Sequence, residues 1–158
     1  AFVSGSGYLS ISLPALSWAE ENVFEVKATA VDSVFYRMGK IERDRPGDEV
    51  VYQVNLPQKT ITRTAVYNKS VKEQMPGSSL GGLEADNTVY QIVHDGIDLA
   101  THRRLLKAIG QTGAMDGYET VVVGEDFVTT SRSTGDYFVL YSYKRTDPVA
   151  DDFKKRGR

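Results

Sequence analysis

Ten consecutive residues, NVFEVKATAV at Asn22 to Val31, set Phe24, Val26, Ala28 and Ala30 on one side of an extended chain and Val23, Glu25, Lys27 and Thr29 on the other. Side chains on a strand point alternately to opposite faces, so this pattern describes a strand with one face buried and the other in water. The same period of two returns at Glu49 to Leu56, EVVYQVNL, where Val50, Tyr52, Val54 and Leu56 share a face and Val51, Gln53 and Asn55 point the opposite way. Lys59 to Tyr67 alternates Thr60, Thr62 and Thr64 with Ile61, Arg63 and Ala65, and its β-branched residues suit a pleated surface. Tyr8 to Leu13, Thr88 to His94 and Asp136 to Arg145 (DYFVLYSYKR) add further strands. Ser33 to Glu42 reads as one more, joined to Glu49–Leu56 through the turn-rich DRPGD at Asp44 to Asp48, which makes a hairpin. Gly117 to Thr129 holds the apolar run TVVVG, which suits strand or helix.

One segment keeps a different period. After Asp98, a plausible N-cap, Leu99, His102, Leu106 and Ile109 recur at spacings of three and four, and Gly110 closes the run. This predicts a helix, with His102, Arg103, Arg104 and Lys107 as a basic outer face whose cations favour the C-terminal end. Between strands and helix, the stretch 69–87 carries Pro76, Gly77, Gly81 and Gly82 and reads as a long loop.

The 158 residues, 41% of them hydrophobic, suffice for one core and are few for two. A single α+β domain over 1–146 is expected, followed by a polar, basic tail over 147–158 that ends KKRGR. The formal charge of −2 argues against coating nucleic acid by bulk cationic charge. With no cysteine there is no disulfide framework, thiol nucleophile or thiolate metal site. The apolar runs are far shorter than the roughly 20 residues a bilayer core needs, so a soluble protein is expected. Ala1 in first place, with no charged-then-apolar leader behind it, fits removal of an initiator Met.

Catalytic motifs are scarce. His94 and His102 are the two histidines, and His94 with Asp95 on a strand would aim to opposite faces. No GxSxG, HExxH, Walker or GxGxxG pattern occurs, and neither Glu20–Glu21 nor Asp151–Asp152 is more than solvated charge. No enzyme activity, cofactor or metal is expected. A polar sheet face could instead bind single-stranded RNA, with Lys40, Glu42, Val51, Gln53 and Asn55 as the face and Lys27 or Arg63 as further candidates.

The order of GKIERDRPGDEVVYQVNLPQ, a long loop with Pro76, and TVYQIVHDGIDLATHRRLLKAIG resembles the coat proteins of single-stranded RNA bacteriophages, the levivirus type, over about Glu21 to Gly124. The resemblance implies an N-terminal hairpin, a mostly antiparallel sheet, and a C-terminal helix packed across the sheet of a dimer partner through Leu99, His102, Leu106 and Ile109. It implies RNA contacts at Gln53 and Asn55, with Val51, Lys40, Glu42 and Met38 beside them, icosahedral assembly of homodimers, and residence in a virion assembled in the host cytoplasm. The TVVVG run and DYFVLYSYKR depart from that family's pattern. The alternative from another class is a non-viral β-rich binding or scaffold module. A third, a small β-barrel enzyme or ligand carrier, would require a closed pocket around Tyr137, Tyr141 and Tyr143.

Overall fold

The computed structural model describes residues 22–44, 47–67, 83–112, 117–135 and 137–147. The expected strand at Tyr8–Leu13, the 69–82 portion of the expected loop and the tail from 148 lie outside the described residues.

Nine strands follow in chain order: β1 (Val23–Arg37), β2 (Lys40–Asp44), β3 (Glu49–Asn55), β4 (Thr60–Tyr67), β5 (Leu83–Ile97), β6 (Arg104–Thr112), β7 (Gly117–Val123), β8 (Phe127–Thr134) and β9 (Tyr137–Arg145). Neighbours from β3 to β9 pair antiparallel in sequence order, β1 pairs β3, and β9 returns to β1 along Ala28–Arg37. The eight strands β1 and β3–β9 thus close into an antiparallel barrel. Eight strands leave a lumen just wide enough to be filled by side chains or to hold one small ligand.

The expected α+β class is therefore overturned: the described residues hold no helix, and the fold is all-β. The segment expected to be helical is the β5–β6 hairpin, Ile97 pairing with Arg104 and Gln91 with Ile109. Asp98 does cap, but it caps a turn. Its carboxylate accepts from the amide of Ala100 (2.9 Å), its carbonyl from that of His102 (2.7 Å), and its own amide bonds Arg103 O (2.8 Å). His102 sits there at φ 54°. Arg104, expected on a basic helix face, reaches across the hairpin and binds Asp95 through Nε and Nη2 at 2.7 and 2.6 Å.

The physical reason is that Leu106, Ala108 and Gly110 satisfy a period of two as well as a helix would use Leu106 and Ile109. With β5 and β7 on either side, both edges of β6 are satisfied by ladders. Gly110 is no helix terminator. It faces the ring of Tyr90, and a Cβ there would lie 2.6 Å from Tyr90 Cδ1 and 2.9 Å from the Val89 carbonyl.

The first hairpin also turns elsewhere than expected. Ser33–Glu42 is interrupted at Met38 and Gly39, whose φ values of 49° and 76° make a tight two-residue turn between Arg37 and Lys40. Left-handed conformations at both central residues suit the right-handed twist of the flanking strands. β2 pairs the far end of β1 and β3 its near end, both opposite β9, so β2 and β3 run in the same direction along one edge of β1 and do not form the expected hairpin with each other.

Alternation was read correctly where it was strongest. Phe24, Val26, Ala28 and Ala30 are buried, as are Val50, Tyr52 and Val54. A bulge between Ala30 and Asp32 then shifts the phase, so that Ser33 is buried and Phe35 turns inward to meet Tyr137 and Tyr141. Inward Ala28, Ala30, Ala108 and Gly110 make room for the rings of Tyr52, Tyr90 and Tyr143, the usual alternation of small and large side chains in a small barrel.

One end of the lumen is plugged by Phe24, Val26, Val54, Ile61, Leu106, Val123 and Val128. The same end carries Arg145, fully buried, which donates to both carboxylate oxygens of Asp147 (2.9 and 2.7 Å) and to the carbonyl of Gly124 (2.8 Å). Asp147, expected to begin a solvated tail, is instead part of the packed base.

Candidate binding site: a polar cluster under an aromatic wall

The opposite end of the lumen is a cavity of about 310 Å³, open to solvent. Its residues come from strands whose alternation carries a polar residue where an apolar one would be expected. On β4 Arg63 follows Ile61 on the inward face. On β7 Glu119 precedes Val121 and Val123, and on β8 Arg132 follows Val128 and Thr130. Strand pairing brings the first three into one cluster, because Glu119 and Arg132 are register partners and Arg63 projects from across the lumen.

Glu119, 3% exposed, is the centre. Its Oε1 accepts from Arg63 Nη1 (3.0 Å) and from the Tyr90 hydroxyl (3.1 Å), and its Oε2 accepts from Arg132 Nη2 (2.7 Å) and Nε (3.2 Å). Arg63 Nε donates to Asp86 Oδ2 (2.9 Å), and Asp86 Oδ1 accepts from the amide and hydroxyl of Thr88 (2.8 and 2.7 Å). A carboxylate buried with three donor side chains meets the condition under which buried charge is tolerated.

Electrostatics follow this geometry. Burial alone would lower the Arg63 guanidinium, but Tyr90, Glu119, Tyr52 and Asp86 around it outweigh that and hold its pKa above the ordinary value. For Asp86, burial works toward a higher pKa, and the hydrogen bonds from Thr88 and the charge of Arg63 bring it below the ordinary carboxylate range. Burial, with Glu119 nearby, pushes the Tyr90 phenol up. Tyr143 is pushed up by burial and by Tyr141. Complete burial also pushes the Tyr52 phenol up, and its hydroxyl has no hydrogen-bond partner among the described residues.

Beside the cluster, on the strand next to β8, β9 supplies Tyr137, Tyr141 and Tyr143 to the cavity wall. Tyr141 and Tyr143 stack with centroids 5.8 Å apart, and Phe35 braces the wall from β1 at 6.2 Å from Tyr137 and 5.8 Å from Tyr141. The ligand-carrier reading required a closed pocket around these three tyrosines, whereas the cavity they line is open to solvent.

The residues expected to bind RNA fall on two faces. Val51, Gln53 and Asn55 point outward from β3, and Asn55 Oδ1 accepts the amide of Gln58 (3.0 Å) in the β3–β4 turn. Lys40 and Glu42 lie on β2 opposite Arg37 and Phe35, the face that continues the lumen, because the bulge in β1 has shifted its phase. Met38 is exposed at the hairpin tip, Lys27 pairs with Glu25 at 3.3 Å on the outer surface, and Arg63 is inside. The four residues expected to share a helix face are also dispersed. Leu99 is exposed in the turn, His102 is exposed beside it, Leu106 is fully buried in the barrel and Ile109 points outward.

The signal for the cluster was present in the sequence as a charged residue on the apolar face of each of three strands, and it went unread because the strands were not yet known to share a lumen. Among the described residues there is no group of three His, Cys, Asp or Glu side chains able to hold a metal ion, and no helix long and apolar enough to cross a membrane. No family model matches the chain, and no curated protein matches it in sequence.

Proposed function

We propose that the protein binds a small organic molecule in the open end of its barrel. The observation that carries this reading is the cavity itself, lined by a tyrosine wall on β9 and by the Arg63–Glu119–Arg132 cluster. Binding sites for small molecules are concave, with apolar and aromatic surface and a few placed polar groups, and the ends of β-barrels are a common location. Binding is favoured over turnover because Glu119, the carboxylate best placed to act as a base, already accepts from three side chains.

The coat-protein reading depended on a helix that would roof a partner's sheet, and with that segment folded as a hairpin the support is gone. Nothing in the outward face of β3 favours RNA over water.

Ligand-observed magnetic resonance with a fragment collection tests the proposal. Fragments are expected to bind the native protein and to lose most of their affinity to a Tyr141→Ala variant whose circular dichroism is unchanged. A native protein with no fragment dependent on Tyr141 would remove the reading.

A further inference from the structure

β2 has an edge that the barrel does not use. It pairs with β1, and among the described residues no strand lies along its other side. Arg37 and Lys40 are the first and last residues of the Met38–Gly39 turn, whose closing hydrogen bond runs from the amide of the last to the carbonyl of the first. Lys40 therefore directs its backbone groups at β1. Successive residues of a strand direct theirs to opposite edges, so those of Ile41 and Arg43 point to the open side. All five residues of β2 are exposed. An edge of this kind is a template for another strand.

The two faces of β2 say which strand fits. On the outward face Ile41 lies opposite Tyr36, and Tyr36 opposite Phe138, a row across three strands with exposures of 71, 47 and 40%. The other face is charged. Lys40 lies opposite Arg37, with Glu42 two residues further along, and among the described residues none of these three is in an ion pair. Like charges directly opposite one another on adjacent strands are destabilising. A second β2, laid antiparallel with Ile41 opposite Ile41, answers both faces. Each Ile41 exchanges its free backbone groups with its counterpart, and the two apolar rows join into one of six side chains. In the same register Lys40 falls opposite the partner's Glu42, so each Arg37–Lys40 pair gains a carboxylate beside it. Registers centred on Lys40, Glu42 or Arg43 would set each of those charges against its own copy. The pairing is isologous and uses up both open edges, so it closes at two copies. We infer that the protein forms a two-fold symmetric dimer through β2, with Ile41 opposite Ile41 and Lys40 opposite the partner's Glu42.

Sedimentation equilibrium of the full chain and three charge variants tests this. The native chain is expected to dimerise, and Lys40→Glu and Glu42→Lys each to weaken dimerisation by about tenfold or more. The variant carrying both changes is expected to recover it, because the exchange restores opposite charges in the stated register. Native protein that stays monomeric at every concentration reached, or a double variant no better than the single ones, overturns the inference. The chain contains no cysteine, which allows a second measurement. Opposed residues of a hydrogen-bonded pair have Cα atoms about 5.5 Å apart, within disulfide range. Mild oxidation is therefore expected to convert Ile41→Cys to a covalent dimer and to leave Arg43→Cys monomeric. Equal crosslinking of the two, or none at Ile41→Cys, likewise overturns it.

Discussion

Glu119 shows how much a single side chain can carry. It sits on the inward face of β7 beside Val121 and Val123, where an apolar residue would be expected, and is 3% exposed. Removing one partner of a fully buried ion pair costs about 3–5 kcal/mol. Here Arg63 keeps Asp86 and Arg132 reaches solvent, so the loss expected for Glu119→Ala in urea unfolding is smaller, about 1–3 kcal/mol. A double variant, Glu119→Ala with Arg132→Met, should recover part of that loss, because the uncompensated charge of Arg132 goes with it while Arg63 keeps Asp86. If Glu119→Ala leaves the unfolding midpoint unchanged, the cluster is not bonded as described.

Among the elements, β6 separates two readings of one set of residues. Leu99, His102, Leu106 and Ile109 fit a helical period, and Leu106, Ala108 and Gly110 fit an extended one. Local spacing alone cannot choose between them. The choice is made by pairing with β5 and β7 on either side, which the spacing of apolar residues within the segment itself does not reveal. The strand assignment has a sharp consequence at Gly110. A helix would accept alanine after its last turn, whereas here the added methyl meets the Tyr90 ring at 2.6 Å and a backbone carbonyl at 2.9 Å. Overpacking of this sort costs typically about 1–3 kcal/mol, so Gly110→Ala is expected to lower the thermal midpoint by several degrees. An unchanged or raised midpoint would speak against the tyrosine packing.

Legibility followed the same division. The alternations of β1, β3, β4 and β9 were readable because each strand has one face buried. The phase shift at Ala30/Asp32 was not, since a bulge leaves no compositional mark in AVDSV, and with it went the grouping of Lys40 and Glu42 with Gln53. Arg63 was placed in the right alternation with Ile61 and Ala65, yet was assigned to a solvated face. Its true position needed Glu119, 56 residues away in the chain, to make an inward arginine reasonable.

At the scale of the whole molecule, three tyrosines from three strands, Tyr52, Tyr90 and Tyr143, are buried in their neutral form. Their folded pKa values are raised, in each case first by burial, above the value near 10 of an unfolded chain. Below pH ~10 both states are protonated and folding is unaffected by these groups. Above it the unfolded chain loses protons that the barrel retains, so stability falls as pH rises. Ultraviolet titration of tyrosinate is expected to show the buried three ionising only together with loss of the β-sheet circular dichroism signal. Smooth titration of all nine tyrosines below the unfolding transition would contradict the burial.

Closure of the barrel through β9 and β1 also fixes the direction in which the molecule faces. Asn22, whose carbonyl accepts from Leu56, and Asp147, clasped by Arg145, both lie at the plugged base. The two ends of the described barrel are thus brought together on the side away from the cavity. A reporter domain attached directly at Asn22 or Asp147 would stand at the base and leave entry unobstructed, while a circular permutant opened at the rim would not.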